Sequence, residues 1–131
     1  VDHFLPNSIH TRLSFHPLNL LPSCDYCNSA LKKTFDPIVM RHRRYSQMRF
    51  SIVHPLLDDV DQHIFYSDPD NTILDTARCT VEGKASIRLF ELASYEMMMF
   101  RMRTLKFQRE NPLTDDELKQ LVIDCATYKP N

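Results

Sequence analysis

The feature that most constrains this chain is a set of polar residues at fixed intervals near its amino end. The set comprises Asp2 and His3, Asn19 in the run NLLPSC, and Asn28 directly after a CxxC pair. In an extended strand, neighbouring side chains point to opposite faces. Asp2 and His3 would therefore serve one site only where their strand ends or bulges. Pro6 fits such an ending, because proline cannot donate a hydrogen bond to a sheet.

These residue types suit the hydrolysis of a phosphodiester bond. At neutral pH, that reaction needs a base for the attacking water and a cation for the charge that develops on the phosphoryl and leaving oxygens. A neutral histidine titrates in the right range to be the base. Mg²⁺ prefers oxygen ligands and keeps several waters, so the Asp2 carboxylate and the Asn28 amide are suitable ligand types.

The stretch DHFLPNSIHTRLSFHPLNLLPSCDYCN resembles the core of the HNH endonucleases, the ββα-metal nucleases built from a strand, a loop, a second strand and a short helix. The resemblance covers about the first third of the chain, through DH, then NL, then CxxCN, in that order. It implies that His3 is the general base, that Asp2 and Asn28 hold Mg²⁺ or Mn²⁺, and that Asn19 fixes the orientation of the His3 ring. The family often has histidine at the last position. Asn28 keeps an oxygen ligand there and favours a hard cation over zinc.

Cys24 and Cys27 form a CxxC pair, which is typical of half a four-cysteine zinc site, of a redox pair or of a disulfide framework. In many HNH proteins, a second CxxC upstream of the DH pair completes a structural Zn²⁺ site. That pair and most of the first strand would precede Val1, so we expect the sequence to be a piece of a longer protein. A variant in which His10 and His16 complete a site with the two thiolates stays open.

Basic residues cluster just after the predicted catalytic helix, although the net charge of the chain is −1. A protein that gains affinity by neutralising phosphates normally carries an excess of Lys and Arg. Because this chain does not, we expect a partner to contribute part of the affinity for nucleic acid. A phosphate-contacting patch and a solvated loop both stay open as interpretations. In the family, a lysine is common at the position of Leu31, so a phosphate contact there is shifted or lost. The candidate nucleic-acid contacts are Lys32, Lys33, Arg41, Arg43 and Arg44.

The predicted architecture is α+β, with a truncated amino-terminal strand in the core. With 131 residues and 43% hydrophobic content, the chain supports one domain or a small core with an extension. We predict an HNH nuclease core over residues 1–58 and a strand-plus-helix extension over 59–131. Strands are predicted at 49–53, 63–66 and 76–81, and helices at 25–33, about 86–110 and 114–128. Thr114 and Glu117 have the spacing of a capping box at the start of the last helix.

The predicted helix at about 86–110 carries the run Met97, Met98 and Met99 and apolar residues at helical spacing. We expect this helix to cover the sheet. Because methionine adapts to irregular surfaces, contact with a partner is the alternative.

The expected function is metal-dependent endonuclease cleavage of DNA, in preference to RNA. The run VHPLLDD resembles a segment of HNH proteins encoded beside ATPases in bacterial anti-phage systems, which implies an ATPase partner. His54, which follows a predicted strand in this run, is expected to be a structural residue at the strand end, and an accessory role in the site is the alternative. The alternative is a non-catalytic interaction module whose fold is stabilised by structural zinc and which docks on such a partner. The cysteine pattern fits a reducing cytosol, and no signal peptide or membrane-spanning run occurs in the sequence, so we expect a cytoplasmic protein that has no membrane contact.

Overall fold

A computed structural model describes residues 2–112, 114, 116, 117 and 120 of the chain. These residues form a mixed α+β structure with small antiparallel sheets. The strands are β1 (Asp2–His3), β2 (Leu20–Leu21), β3 (Ile38–Met40) and β4 (Arg49–Phe50). The helices are a π-helix (Tyr26–Lys32), α1 (Val81–Leu89) and α2 (Tyr95–Glu110). Short 3₁₀ turns lie at Thr11–Leu13, Pro17–Asn19, Tyr45–Gln47 and Val60–Gln62.

The first sheet is a single antiparallel pair in which Asp2 faces Leu21 and His3 faces Leu20. As predicted, β1 ends at His3, where the chain bends away from its partner strand. The loop that returns to β2 is closed by a hydrogen bond from the Phe4 amide to the Asn19 carbonyl at 2.8 Å. This sheet therefore holds the two ends of a long loop together directly before the π-helix begins.

The predicted helix at 25–33 is present, but the hydrogen bond that closes its carboxyl end spans five residues. The amide of Lys33 donates to the carbonyl of Asn28 at 2.9 Å, which is the spacing of a π-helix. The helix ends one residue before the predicted end, where Lys33 takes a positive φ of 49°. Its last helical residue is Lys32, which is buried.

Two predicted strands are wrong, and a third is shorter than predicted. The structure has no strand at residues 63–66 or 76–81; Tyr66 makes only an isolated bridge with Leu74, which lies between the two ranges. Between them the Asp68 carboxylate accepts hydrogen bonds from the amides of Ile73 and Thr72, which hold its pKa below the usual value and fix a turn. The predicted strand at 49–53 stops at β4, whose partner is β3, a strand that the sequence did not predict.

The single helix predicted at about 86–110 is two helices. Thr80 caps α1 by accepting a hydrogen bond from the Gly83 amide, and Ser94 caps α2 by accepting one from the Met97 amide, as short hydroxyl side chains commonly do. Between the helices, Glu91 adopts a positive φ of 50°. This conformation is uncommon outside glycine, and it turns the chain away from the axis of α1. Because apolar residues continue at helical spacing across this break, the sequence pattern did not indicate that α1 and α2 are separate helices.

Helix α1 contacts both apolar clusters of the molecule. Ala85 and Leu89 pack against the cluster of Phe4, Leu5, Tyr45 and Ile52, while Ile87 belongs to the cluster of Ile64, Cys79 and Ile87. Its first turn lies directly on the backbone of residue 63. A Cβ atom at Gly83, the one glycine of the chain, would collide with the His63 carbonyl oxygen, so the close approach requires glycine. Close backbone contact therefore fixes the position of α1.

The reciprocal capping box at Thr114 and Glu117 is confirmed. The Glu117 carboxylate accepts hydrogen bonds from the Thr114 amide and hydroxyl at 2.8 Å. The Glu117 amide donates to the Thr114 hydroxyl at 3.3 Å, which completes the reciprocal pattern. The remainder of the helix predicted at 114–128 lies outside the described residues, apart from Asp116 and Gln120. Over the described part of the chain, no helix combines the length and apolar character needed to cross a membrane.

Candidate catalytic site

The His3 ring is held by the backbone of the loop between β1 and β2. Its Nε2 atom lies 3.0 Å from the Ser14 carbonyl oxygen. Since a carbonyl can only accept, Nε2 must carry the proton of this hydrogen bond. In the neutral ring, Nδ1 then keeps its lone pair. The structure therefore gives half-buried His3 one defined tautomer, with Nδ1 as the atom able to accept a proton.

Asn19 does not make the predicted hydrogen bond to His3. Its side chain is fully buried and uses its hydrogen-bonding groups elsewhere. Oδ1 accepts from the Leu5 amide at 2.7 Å, and Nδ2 donates to the Leu13 carbonyl at 3.0 Å and to the Leu5 carbonyl at 3.3 Å. Because Leu13 precedes Ser14, Asn19 fixes the segment whose carbonyl holds His3. Its effect on the ring is therefore indirect.

Behind Asn19 lies a buried chain of polar side chains. The Tyr45 hydroxyl donates to Asn19 Oδ1 at 3.1 Å and lies 3.3 Å from His54 Nε2. His54 Nδ1 accepts from the Leu56 amide at 3.2 Å, so Nε2 carries the ring proton and Tyr45 accepts it. Burial lowers the pKa of His54, which keeps the ring neutral. Fully buried His54 cannot touch a substrate, so its contacts agree with the expected structural role and not with the alternative accessory role.

Asp2 is bound by a lysine from the end of the π-helix. Lys32 Nζ lies 3.2 Å and 3.3 Å from the two carboxylate oxygens of Asp2 and also donates to the His3 carbonyl. Asp2 is 8% exposed and Lys32 is 3% exposed. The prediction that Lys32 contacts nucleic acid from the surface is therefore wrong. Its ammonium group is the internal partner of the predicted metal-binding carboxylate.

Asn28 lies one turn before Lys32 in the π-helix and is half-buried. Its backbone amide donates to the Cys24 carbonyl at 3.1 Å, and within the described residues its side-chain amide makes no hydrogen bond. Asp2 and Asn28 together offer the oxygen donors that a hard divalent cation prefers. An ion at Asp2 would have to displace the Lys32 ammonium group. The oxygen donors of Asp2 and Asn28 fit the predicted metal. Binding it would require the ion pair between Lys32 and Asp2 to break.

Asp2 and His3 do not line one cleft. Asp2, Cys27 and Lys32 border an opening of about 260 Å³ whose walls are mainly apolar, including Phe4 and Phe90. The His3 ring is not part of those walls, and its hydrogen-bond partner lies in the preceding loop. The structure therefore gives Asp2 and His3 separate partners, and it places Asn28 in the same helix as the Lys32 that binds Asp2.

Cys24 and Cys27 lie next to each other at the start of the π-helix. The Cys27 amide points at Cys24 Sγ at 3.5 Å, and hydrogen bonds from Cys27 lower the pKa of the exposed Cys24 thiol. Burial, the Cys24 contact and the Asp2 charge raise the pKa of Cys27 to about 11, since each of them disfavours the thiolate. A structural zinc at this pair stays a prediction. Over the described residues, no three His, Cys, Asp or Glu side chains come together as metal ligands.

The variant in which His10 and His16 complete a zinc site is wrong. His10 Nε2 is bound to the Asp36 carboxylate at 2.9 Å, and the His16 ring stacks on Tyr45 with 4.6 Å between ring centroids. The His10 ring is therefore bound by Asp36 and the His16 ring is packed on Tyr45, while among the described residues the buried Nδ1 of His16 has no hydrogen-bond partner.

Of the remaining basic candidates, Lys33, Arg41, Arg43 and Arg44 are exposed. The sequence interpretation missed Arg12, which lies opposite Arg41 and Arg43 across a cleft. It also missed Ser14, which acts through a backbone carbonyl and leaves no signal in the residue type. Comparison of the chain with protein-family models, curated proteins and solved structures found no match.

Proposed function

We propose that this chain is a metal-dependent endonuclease of the HNH type that hydrolyses phosphodiester bonds of DNA. The observation that carries the proposal is the fixed tautomer of His3, with Nε2–H bound to the Ser14 carbonyl and Nδ1 able to accept a proton. The order of β1, loop, β2 and π-helix also supports it, because that is the order of the ββα-metal core that the sequence resembles.

In this proposal, His3 Nδ1 removes a proton from the attacking water. The ring becomes positively charged, and the Ser14 carbonyl stabilises that charge through the Nε2–H hydrogen bond that is already present. Asn19 keeps the carbonyl in place by binding the neighbouring Leu13 carbonyl. Asp2 and Asn28 would hold Mg²⁺ or Mn²⁺, which supplies positive charge for the developing negative charge on the phosphate.

The test is cleavage of supercoiled plasmid DNA with Mg²⁺ or Mn²⁺, in which wild type is compared with His3→Ala and Asn28→Ala. We expect His3→Ala to lower the rate by about 100-fold or more, because a positioned general base contributes that much. Asn28→Ala should raise the metal concentration needed for half-maximal cutting. Glu96→Gln, at an exposed position of α2, serves as the matched control and should cut like wild type. Equal cutting by wild type and His3→Ala, or cutting that survives EDTA, would refute the assignment.

A second candidate is a non-catalytic module that docks on a larger partner such as an ATPase. Two observations favour it. Both oxygens of Asp2 are already bound by Lys32, and α2 buries none of its residues while exposing Tyr95, Phe100 and Phe107. The absence of metal-dependent cutting from every preparation, wild type included, would place this candidate first.

A further inference from the structure

A cleft of about 480 Å³ opens between the turn that follows β1 and the loop that follows β3. One wall is formed by residues 9–13, and the other by residues 41–43 together with Met48. The cleft lies apart from the apolar opening beside Asp2, with which it shares no lining residue.

The walls of this cleft are strongly basic. Arg12, Arg41 and Arg43 give the lining a formal charge of +3, and no Asp or Glu contributes to it. Among the described residues, none of these three side chains has a hydrogen-bond or ion-pair partner. In contrast, Arg101 donates to two backbone carbonyls and Arg109 pairs with Asp70 at 2.7 Å. The cleft thus holds three guanidinium groups whose positive charge no carboxylate of the lining neutralises, which favours an anion between them.

Hydrogen bonds hold the base of the cleft, although its arginines are exposed. Buried His10 binds the Asp36 carboxylate at 2.9 Å, which joins the first wall to the start of β3. Asp36 also accepts a hydrogen bond from the Ile38 amide at 3.3 Å, and Asn19 holds the Leu13 carbonyl. These hydrogen bonds fix the backbone of the first wall against the segment before β3, and a ligand between the walls would order the exposed arginine side chains.

The cleft and the candidate base share one segment of chain. The first wall ends at Leu13, and the next residue, Ser14, supplies the carbonyl that holds His3. We infer that Arg12, Arg41 and Arg43 form a binding site for the phosphodiester backbone of DNA. This inference deepens the proposed nuclease function and rests on it for the class of substrate. Arg12 was not among the residues that the sequence suggested for this site, and buried Lys32 does not belong to it.

The chemistry indicates a backbone contact that does not depend on base sequence. Exposed guanidinium groups pair with phosphate oxygens in two-point hydrogen bonds, and the binding releases counterions from DNA. Each phosphate contact contributes about 0.9 to the slope of log affinity against log salt concentration. Loss of three contacts should therefore reduce that slope by about 2.7.

The test is fluorescence anisotropy of a short labelled DNA duplex titrated with the full chain at about 50 to 200 mM salt. The variant carries Arg12→Gln, Arg41→Gln and Arg43→Gln. A matched control carries Lys84→Gln, Arg88→Gln and Arg103→Gln, which remove the same charge from exposed positions on α1 and α2. We expect the cleft variant to bind at least about 10-fold more weakly with the lower slope, and the control to stay within about twofold of wild type. The single variant Arg12→Gln should lose about threefold, which preserves the test if the triple variant does not fold.

Equal affinity and slope in wild type and the cleft variant would overturn the inference, as would a wild type that does not bind at the lowest salt. Displacement of the duplex by an equimolar amount of inorganic pyrophosphate would also overturn it, in favour of a site for small phosphate compounds.

Plasmid cleavage in the same preparations separates this inference from the proposed function. His3→Ala should bind the duplex like wild type without cutting it. If no preparation cuts while binding still depends on the three arginines, the nuclease proposal falls and the cleft remains. If cutting depends on His3 while the cleft variant binds normally, the nuclease stands and the cleft proposal falls.

Discussion

The two long helices are attached to the molecule in different ways. Helix α1 buries Gly83, Ser86 and Ile87, and the Ser86 hydroxyl accepts a hydrogen bond from the Val53 amide at 2.9 Å. Helix α2 buries no residue and is held through Arg101 and Arg109. The shorter helix is thus the better-packed one. Attachment here depends on small side chains that allow close approach, and the greater length of α2 does not secure it.

The sharpest test of this comparison is Gly83→Ala. On an exposed helix, this change would stabilise the protein by up to about 1 kcal/mol through helix propensity. Here the added methyl group meets the His63 carbonyl. We therefore expect a loss of about 3 kcal/mol in the free energy of unfolding, the upper range for overpacking. Urea denaturation followed by circular dichroism measures it. Lys84→Ala, the exposed neighbour, is the control and should change stability by less than about 0.5 kcal/mol.

Ser86→Ala should have a smaller effect in the same direction. The substitution leaves the amide of buried Val53 without its acceptor. An unsatisfied buried donor costs about 2 kcal/mol, which the same denaturation curves can resolve. Ser86→Thr keeps a hydroxyl and offers a partial rescue if the methyl group fits. Stability unchanged in Ser86→Ala would show that α1 is held by apolar contact alone.

The smallest effect is expected on α2, where Phe107 is 65% exposed. Phe107→Ser should change the free energy of unfolding by less than about 0.5 kcal/mol, as is usual for surface substitutions. Urea denaturation measures it, with Ile87→Ser on α1 as the contrasting variant. A loss above about 2 kcal/mol in Phe107→Ser would mean that α2 is packed as firmly as α1, and the comparison would fail.

Sequence patterns predicted the elements that local chemistry defines. The capping box at Thr114 and the end of β1 at His3 are confirmed, because a cap and a strand ending depend on neighbouring residues. The strand predicted at 76–81 failed because Thr80 is a helix cap whose partners include the backbone of residue 63. The expectation that one long helix covers the sheet failed for α2, since the break at Glu91 directs the chain elsewhere.

The candidate site was predicted as a set of residue types, and its internal contacts were not. His3, Asp2 and Asn28 could be selected by chemistry, and their catalytic and metal-binding roles stay predictions. The ion pair of Lys32 with Asp2 forms because the π-helix places Lys32 there. The orientation of the His3 ring is set by its hydrogen bond to the Ser14 carbonyl. Neither a helix type nor a backbone carbonyl is specified by residue identity at one position, so both required the folded chain.

The π-helix makes the site sensitive to chain length. Each added or lost residue rotates the following side chains by about 100° around a helix axis. A deletion of one residue between Asn28 and Lys32 would change the rotation of Lys32 about the helix axis and would move its ammonium group away from Asp2. A deletion of a single codon in this helix could therefore leave the Asp2 carboxylate without the Lys32 ammonium group, even though every residue type of the motif is still present.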